Sequence, residues 1–154
     1  MYIYLLFFHS VFRWLVLISL LFALFRSLRG WLTRSVFSKF DDLVRHVTAT
    51  ISHIQLTIGY VLYFNSPLIA YFRSNYSEAV SQFDFKFFGM IHITLMTIAI
   101  FVITIGSSMA KRQAADHAKF KIMTLFLAAA LLLIFVSIPW PFSPLANRPY
   151  LRSF

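Results

Sequence analysis

The sequence predicts an all-α membrane protein, a bundle of four transmembrane helices in up-down topology. Its 154 residues are 60% hydrophobic and only 12% charged, and its mean hydropathy is +0.76, whereas soluble domains carry about 25% charged residues. Four apolar stretches each approach the roughly 20 residues that a helix needs to cross a hydrocarbon core. At this length we expect a single domain that covers residues 1–154.

The four predicted spans cover about residues 4–25, 44–64, 87–107 and 121–138. A backbone in lipid must satisfy its own hydrogen bonds, so each span is predicted to be helical. Gly30 is expected to end the first helix, and Asp41 and Asp42 are expected to cap the second, because carboxylates favour helix N-termini. The last helix is predicted to end near Ile138, because four of the five prolines follow it.

The connections between the spans differ in charge. The first and third carry most of the Lys and Arg residues, whereas the second, residues 65–86, is polar and aromatic and is predicted to hold a short interfacial helix. The positive-inside rule therefore places connections one and three in the cytoplasm and both termini on the outer, periplasmic side. Because this orientation explains the net charge of +9, nucleic acid is not expected as a partner.

Histidines give the strongest functional signal, because each of the four predicted helices carries one, with His117 just before the fourth span. Ionisable side chains within spans are rare and mark functional sites. In an up-down bundle the first and third helices are diagonal, as are the second and fourth, so paired histidines can bind a metal, or a haem iron, from opposite sides. His9 and His92 match in depth near the outer surface, and a second pair is His53 with His117. His46 lies seven residues before His53 and is an alternative ligand.

For individual histidines, roles other than metal or haem binding stay open. His46 and His117 border basic connections and also suit solvated interfacial positions. His53 and His92 also suit neutral imidazoles that bind a neighbouring helix. The chain has no cysteine, which excludes iron–sulfur ligation and thioether-attached haem. No glutamate lies within a span, so the di-iron motif of helical bundles is absent from the sequence.

Arg13 adds to this pattern, because it lies one turn from His9 on the same face of the first span. A charge at that depth costs several kcal/mol unless it is paired. The five acidic residues lie in or beside connections, and of these Asp84 is the one expected to be able to reach Arg13. A haem propionate would supply the anion, and the alternative is that Arg13 extends to a lipid phosphate.

Several segments resemble a known group of proteins. They are HSVFRWLVL, HIQLTIGYVLYF, KFFGMIHITLM, DHAKFKIM and IPWPF, and together they resemble short four-helix bacterial integral-membrane proteins catalogued as b-type cytochromes. The resemblance implies non-covalent haem b with axial ligands among His9, His53, His92 and His117, in the bacterial inner membrane. Larger dihaem cytochromes b place two ligands on each of two helices, and this sequence departs from that spacing.

The sequence therefore predicts a b-type cytochrome that transfers electrons within or across the membrane. One haem is expected near the outer leaflet, and a second near the inner leaflet stays open. Its partners are the lipid bilayer and either quinol or a larger membrane complex. The alternatives are a non-catalytic accessory subunit of such a complex and a quinone-linked enzyme that uses Gln55, Thr57 and Tyr60. An electron carrier or subunit is favoured over a stand-alone enzyme.

Overall fold

The computed structural model describes residues 2–143, 146 and 148–150, and within this part of the chain the regular structure is entirely helical. The prediction of an all-α protein is confirmed. The elements are α1 (Tyr2–Thr33), α2 (Lys39–Asn65), α3 (Pro67–Ser74), α4 (Tyr76–Ala79), α5 (Phe83–Lys86), a π-helix (Phe87–Ile91), α6 (His92–Lys111) and α7 (Asp116–Ser137). The second connection thus holds three short helices where one was predicted, and α7 ends beside Ile138 as predicted.

The four long helices form a ring of neighbours around one core. α1 packs against α2 and α7, and α6 packs against the same two helices. This leaves α1 diagonal to α6, and α2 diagonal to α7. Small and branched side chains fill the centre, among them Leu20, Ala99, Ile103 and Ala130, each at most 1% exposed.

Among the residues that the structure describes, three helical stretches are long and apolar enough to cross a membrane, not four. They are α1, the stretch Phe83–Lys111, and α7. The predicted span at 44–64 lies within α2, which does not reach the same apolarity. The physical reason is polar side chains along α2, including Arg45, His46 and His53. The chain is thus a helical protein with three apolar helices suited to a multi-pass position in a lipid bilayer.

The predicted end of α1 at Gly30 is wrong. The helix continues to Thr33, and Arg34 follows with a φ of 50°, in the left-handed region. The Ser35 amide donates to the Gly30 carbonyl at 3.1 Å, the long-range bond of a Schellman-type helix end. Gly30 serves packing instead, because a Cβ there would lie 2.5 Å from the Phe120 ring.

The N-terminus of α2 is fixed by a capping box and an ion pair. Ser38 is the N-cap, and its side chain accepts a bond from the Asp41 amide, while the Asp41 carboxylate accepts from the Ser38 amide. Asp41 also pairs with Arg26 on α1 at 2.6 Å. Burial raises the pKa of the Asp41 carboxyl, but hydrogen bonds from Ser38 and Arg26 outweigh it and hold that pKa below its ordinary value. Asp42 pairs with Arg45 at 2.8 Å.

Candidate functional site

A cavity of about 280 Å³ lies at the end of the bundle where α1 begins and α7 ends. Its wall comes from α1, α2, α6 and the segment after α7, and it is mainly apolar. His9, Arg13, Gln55, Tyr60 and His92 supply polar groups. The volume is just below the roughly 300–1,000 Å³ of typical small-molecule pockets. An apolar cavity with a few converging polar groups is the usual form of a ligand site.

The cavity brings together the two histidines that the sequence paired by depth. The rings of His9, on α1, and His92, on the diagonal helix α6, have centroids 6.4 Å apart and planes inclined at 71°. His92 begins α6 directly after the π-helix, and its amide donates to the Phe87 carbonyl five residues earlier. Single π-turns are frequent at functional sites because they rotate the following side chains. Here the π-turn precedes a histidine that lines the cavity.

Ser137, at the end of α7, orients His92. The distance from the His92 Nδ1 to the Ser137 carbonyl oxygen is 2.8 Å. A carbonyl only accepts hydrogen bonds, so Nδ1 carries the proton and Nε2 of the neutral ring carries the lone pair. The sequence carries no signal for this partner, because the acceptor is a main-chain atom and no residue type indicates it.

His9 lies against two residues of α2. The Gln55 side-chain amide donates to the His9 carbonyl at 3.0 Å, and its nitrogen lies 3.5 Å from the His9 Nε2. Gly59 leaves room for the ring, because a Cβ there would lie 3.3 Å from the His9 Cε1. Within the described residues, the buried His9 Nδ1 and Gln55 Oε1 atoms have no hydrogen-bond partner. Unpartnered polar atoms beside a cavity indicate a missing partner.

Arg13 lies on the cavity wall and contacts the chain after α7. Its Nη2 donates to the Tyr150 carbonyl, which also accepts from the Trp14 indole at 3.2 Å. Asp84, the acidic residue that was expected to be able to reach Arg13, pairs with Arg148 at 3.2 Å instead. Among the described residues no acidic side chain pairs with Arg13, and its buried Nε has no partner there. Within the described residues, the positive charge of Arg13 is therefore not neutralised by an acidic side chain.

The other predicted ligands lie elsewhere. His46, His53 and His117 are exposed side chains on the outside of the bundle. The His53 Nε2 lies 2.9 Å from the Thr104 hydroxyl, which itself donates to the Ile100 carbonyl. The structure does not bring His53 and His117 together, because both side chains are exposed on the outside of the bundle instead of facing its core.

The three residues predicted for a quinone site do not lie together. Gln55 and Tyr60 line the cavity, whereas Thr57 is exposed on the outside of α2. Across the described part of the chain, no three His, Cys, Asp or Glu side chains form a group that would hold a metal ion. Comparisons with family models, curated proteins and solved structures find no match to this chain.

Proposed function

We propose that this protein is a b-type cytochrome of the bacterial cytoplasmic membrane that holds one haem b between His9 and His92 and transfers electrons within the membrane. In this proposal α2 also crosses the bilayer, and both termini lie on the outer side. The observation that carries the proposal is the separation of 6.4 Å between the two imidazole rings, which come from diagonal helices and line one cavity.

The spacing of the rings suits ligation of one metal by both. His9 and His92 would hold one metal ion between them, because each ring offers a nitrogen ligand and their centroids lie 6.4 Å apart. Two protein ligands are too few for a structural zinc site, which takes four. His9 and His92 would be enough to hold haem, because its porphyrin would supply the other nitrogen ligands of the iron.

The neighbouring residues have separate roles in this proposal. The Ser137 carbonyl fixes the tautomer of His92, so that Nε2 is free to bind iron and its basicity is raised, as outer-shell acceptors do for metal-bound histidines. Arg13 would hold a propionate, which is a stronger partner for a guanidinium than a neutral carbonyl. Bound haem supplies one-electron redox chemistry, and the apolar wall excludes water and so tunes its potential.

The exposed positions of His53 and His117 favour one haem over two. A second haem would need two histidines that face each other, whereas His53 and His117 are exposed on the outside of α2 and α7. The proposed ligands are therefore His9 and His92 alone. A second haem would therefore have no two histidines that face each other within one chain.

Purification after expression with added haem precursor tests the proposal. We expect a red protein whose reduced-minus-oxidised spectrum is that of a b-type cytochrome, with one haem per chain by the pyridine haem assay. His9→Ala and His92→Ala should each abolish haem binding. His53→Ala and His117→Ala are matched controls, because they remove the same side chain from the exposed surface and should retain haem.

Two further measurements keep the test decisive. The size-exclusion profile and helical circular dichroism of each variant report whether it folds, and His92→Met, which offers a thioether ligand, should shift the spectrum instead of abolishing it. Retention of haem in both alanine variants would exclude this ligand pair. A folded wild-type protein that stays colourless and bound to other subunits would instead favour the accessory-subunit alternative.

A further inference from the structure

We propose that Arg148 is a second anion-binding residue of the cavity, so that the ligand is an amphiphile with two acidic groups, one bound by Arg13 and the other by Arg148. This inference rests on the proposed function and deepens it, because it adds a residue from outside the predicted spans to the site for haem b. Both arginines line the cavity, and none of its described lining residues is acidic. The cavity wall is therefore positively charged and complementary to an anionic ligand.

Arg148 reaches the cavity because the chain folds back after α7. Its amide donates to the Pro139 carbonyl at 3.1 Å, which brings the two residues together although a loop separates them. Pro139 and Pro149 line the cavity beside it. The Arg148 side chain is 25% exposed, so it lies partly within the protein and partly at the surface. This is the position of a residue at the rim of the cavity.

Each of the two histidines has an arginine near it. Arg13 lies one turn after His9 on α1. The Arg148 guanidinium carbon lies 4.8 Å from the centroid of the Phe88 ring, which is itself 6.1 Å from the His92 ring. A ligand held between the histidines is therefore within the neighbourhood of two guanidinium groups. Haem b has two propionates, which are carboxylates of the kind that guanidinium groups bind.

The ion pair that Arg148 makes with Asp84 is one that a ligand can replace. It is a single contact of 3.2 Å, and the Asp84 side chain is 55% exposed. Such exposed pairs contribute little because water competes for both charges. Asp84 is not among the described residues that line the cavity. A ligand carboxylate inside the mainly apolar cavity can accept two parallel bonds from the guanidinium, which makes it the stronger partner.

Protoporphyrin IX tests the arginines apart from iron ligation, because it carries the two propionates of haem b and no metal. Its binding to the protein in lipid nanodiscs is measured by quenching of tryptophan fluorescence. Arg148→Gln should bind it about tenfold more weakly, because one charge-assisted hydrogen-bonded pair is lost. The dimethyl ester of protoporphyrin IX, whose acidic groups are blocked, should bind this variant and the wild type equally.

Arg73→Gln is the matched control for the loss of a positive charge. Arg73 is exposed on α3, whose Leu68 and Ile69 line the cavity, and does not itself line it. Its variant should bind protoporphyrin IX as the wild type does. Equal binding by Arg148→Gln and Arg73→Gln overturns the inference, and so does an equal loss of the dimethyl ester, because the acidic groups would then not be what Arg148 recognises.

Asp84→Asn separates anion binding from a structural role of the ion pair. It breaks the same pair but keeps the guanidinium, so it should bind protoporphyrin IX no less tightly than the wild type. Weaker binding overturns the inference, because the pair would then only maintain the shape of the cavity. Arg148→Lys retains the charge and should recover most of the binding that Arg148→Gln loses. Circular dichroism of each variant reports whether it folds.

Failure of this inference is distinguishable from failure of the proposed function. If the wild type with haem gives the spectrum of a b-type cytochrome but Arg148→Gln binds protoporphyrin IX normally, the role of Arg148 alone is excluded. If protoporphyrin IX binds with the expected dependence on Arg148 but haem gives no such spectrum, the histidine ligation is excluded and the role of Arg148 is supported.

Discussion

The two ends of the bundle are filled in opposite ways. At the end where α1 leads into α2, aromatic rings occupy the space between helices: Phe37 and Phe120 lie 5.0 Å apart, and Phe120 also covers Gly30. We call this the packed end. At the cavity end, around His9 and His92, about 280 Å³ is left open between the same helices.

The two ends also differ in whether their buried polar groups have hydrogen-bond partners. At the packed end, the buried carboxylate of Asp41 is bonded to Arg26 and Ser38, and the buried Arg45 guanidinium contacts the Ser107 hydroxyl at 2.5 Å. At the cavity end, buried atoms of His9 and Gln55 have no partner among the described residues. Buried polar groups are normally satisfied. The buried polar groups named at the packed end are therefore satisfied within the protein, whereas those at the cavity end are where the proposed ligand would bind.

One glycine-to-alanine change at each end should give the largest difference between the two ends in the free energy of unfolding. In Gly106→Ala the new Cβ would lie 2.3 Å from the Phe126 Cβ, an atom fixed to its own backbone, so the helices α6 and α7 must move apart. We expect a loss of about 3 kcal/mol in the free energy of unfolding, at the upper end for overpacking.

The matched change is Gly59→Ala, where the new Cβ would lie 3.3 Å from the His9 ring. This ring borders open space and can shift by a few tenths of an ångström, so the expected loss is under about 1 kcal/mol. Denaturant unfolding in mild detergent, followed by circular dichroism, measures both. Equal losses would contradict the distinction between a packed and an open end.

Removal of the Asp41 carboxylate should destabilise the packed end by a smaller amount. Asp41→Ala removes the capping box with Ser38, worth about 1 kcal/mol. It also removes an ion pair whose Arg26 side chain is 34% exposed, which reduces that contribution to about 1 kcal/mol. The expected total is near 2 kcal/mol in denaturant unfolding. Glu78→Ala is the control, because its exposed side chain is in no ion pair among the described residues, and an equal loss there would count against this account.

The lowered pKa of Asp41 also predicts how stability responds to acid. A depressed carboxyl pKa contributes stability that is fully present above the ordinary Asp value of about 3.9 and is lost as the pH falls through the folded-state value. The wild-type protein should therefore lose stability faster than Asp41→Asn below about pH 4. Unfolding curves from pH 7 to pH 3 provide the measurement, and parallel curves for the two proteins would refute the role of Asp41.

The sequence predicted features that depend on composition and on position along a helix. The helical class and the end of α7 follow from apolar length and proline placement, and the approach of His9 to His92 follows from depth in an up-down bundle. It did not predict features that depend on which way a helix faces. Gly30 was predicted to end α1, as glycine often does at helix ends. Its real role, contact with Phe120, joins residues 90 positions apart, so the local sequence gives no signal for it. The span at 44–64 was predicted from apolar length, whereas α2 carries polar side chains on both its buried and its exposed sides, among them Arg45 and His53.

Hydrogen bonds to main-chain carbonyls could not be predicted from the sequence either. The Ser137 carbonyl orients His92, and the Tyr150 carbonyl accepts from Arg13. Every residue carries a carbonyl, so residue type gives no signal for either contact. The π-helix before His92 is a third case, because its extra residue per turn depends on how Phe87 packs, fully buried, between neighbouring elements.

The smallest expected effect is at the cavity end itself. Gln55→Leu removes one hydrogen bond to the His9 carbonyl, worth about 1 kcal/mol, and also removes a buried oxygen without a partner, whose burial costs about as much. The haem-free protein should therefore unfold within about 0.5 kcal/mol of the wild type. The control is Tyr63→Phe, which breaks a hydrogen bond of 2.9 Å to the Gly89 carbonyl with no such compensation and should cost about 1 kcal/mol. If Gln55→Leu costs as much as the control, the unpartnered oxygen has no energetic consequence. The cavity end would then be no more adapted to a ligand than any loosely packed part of the bundle.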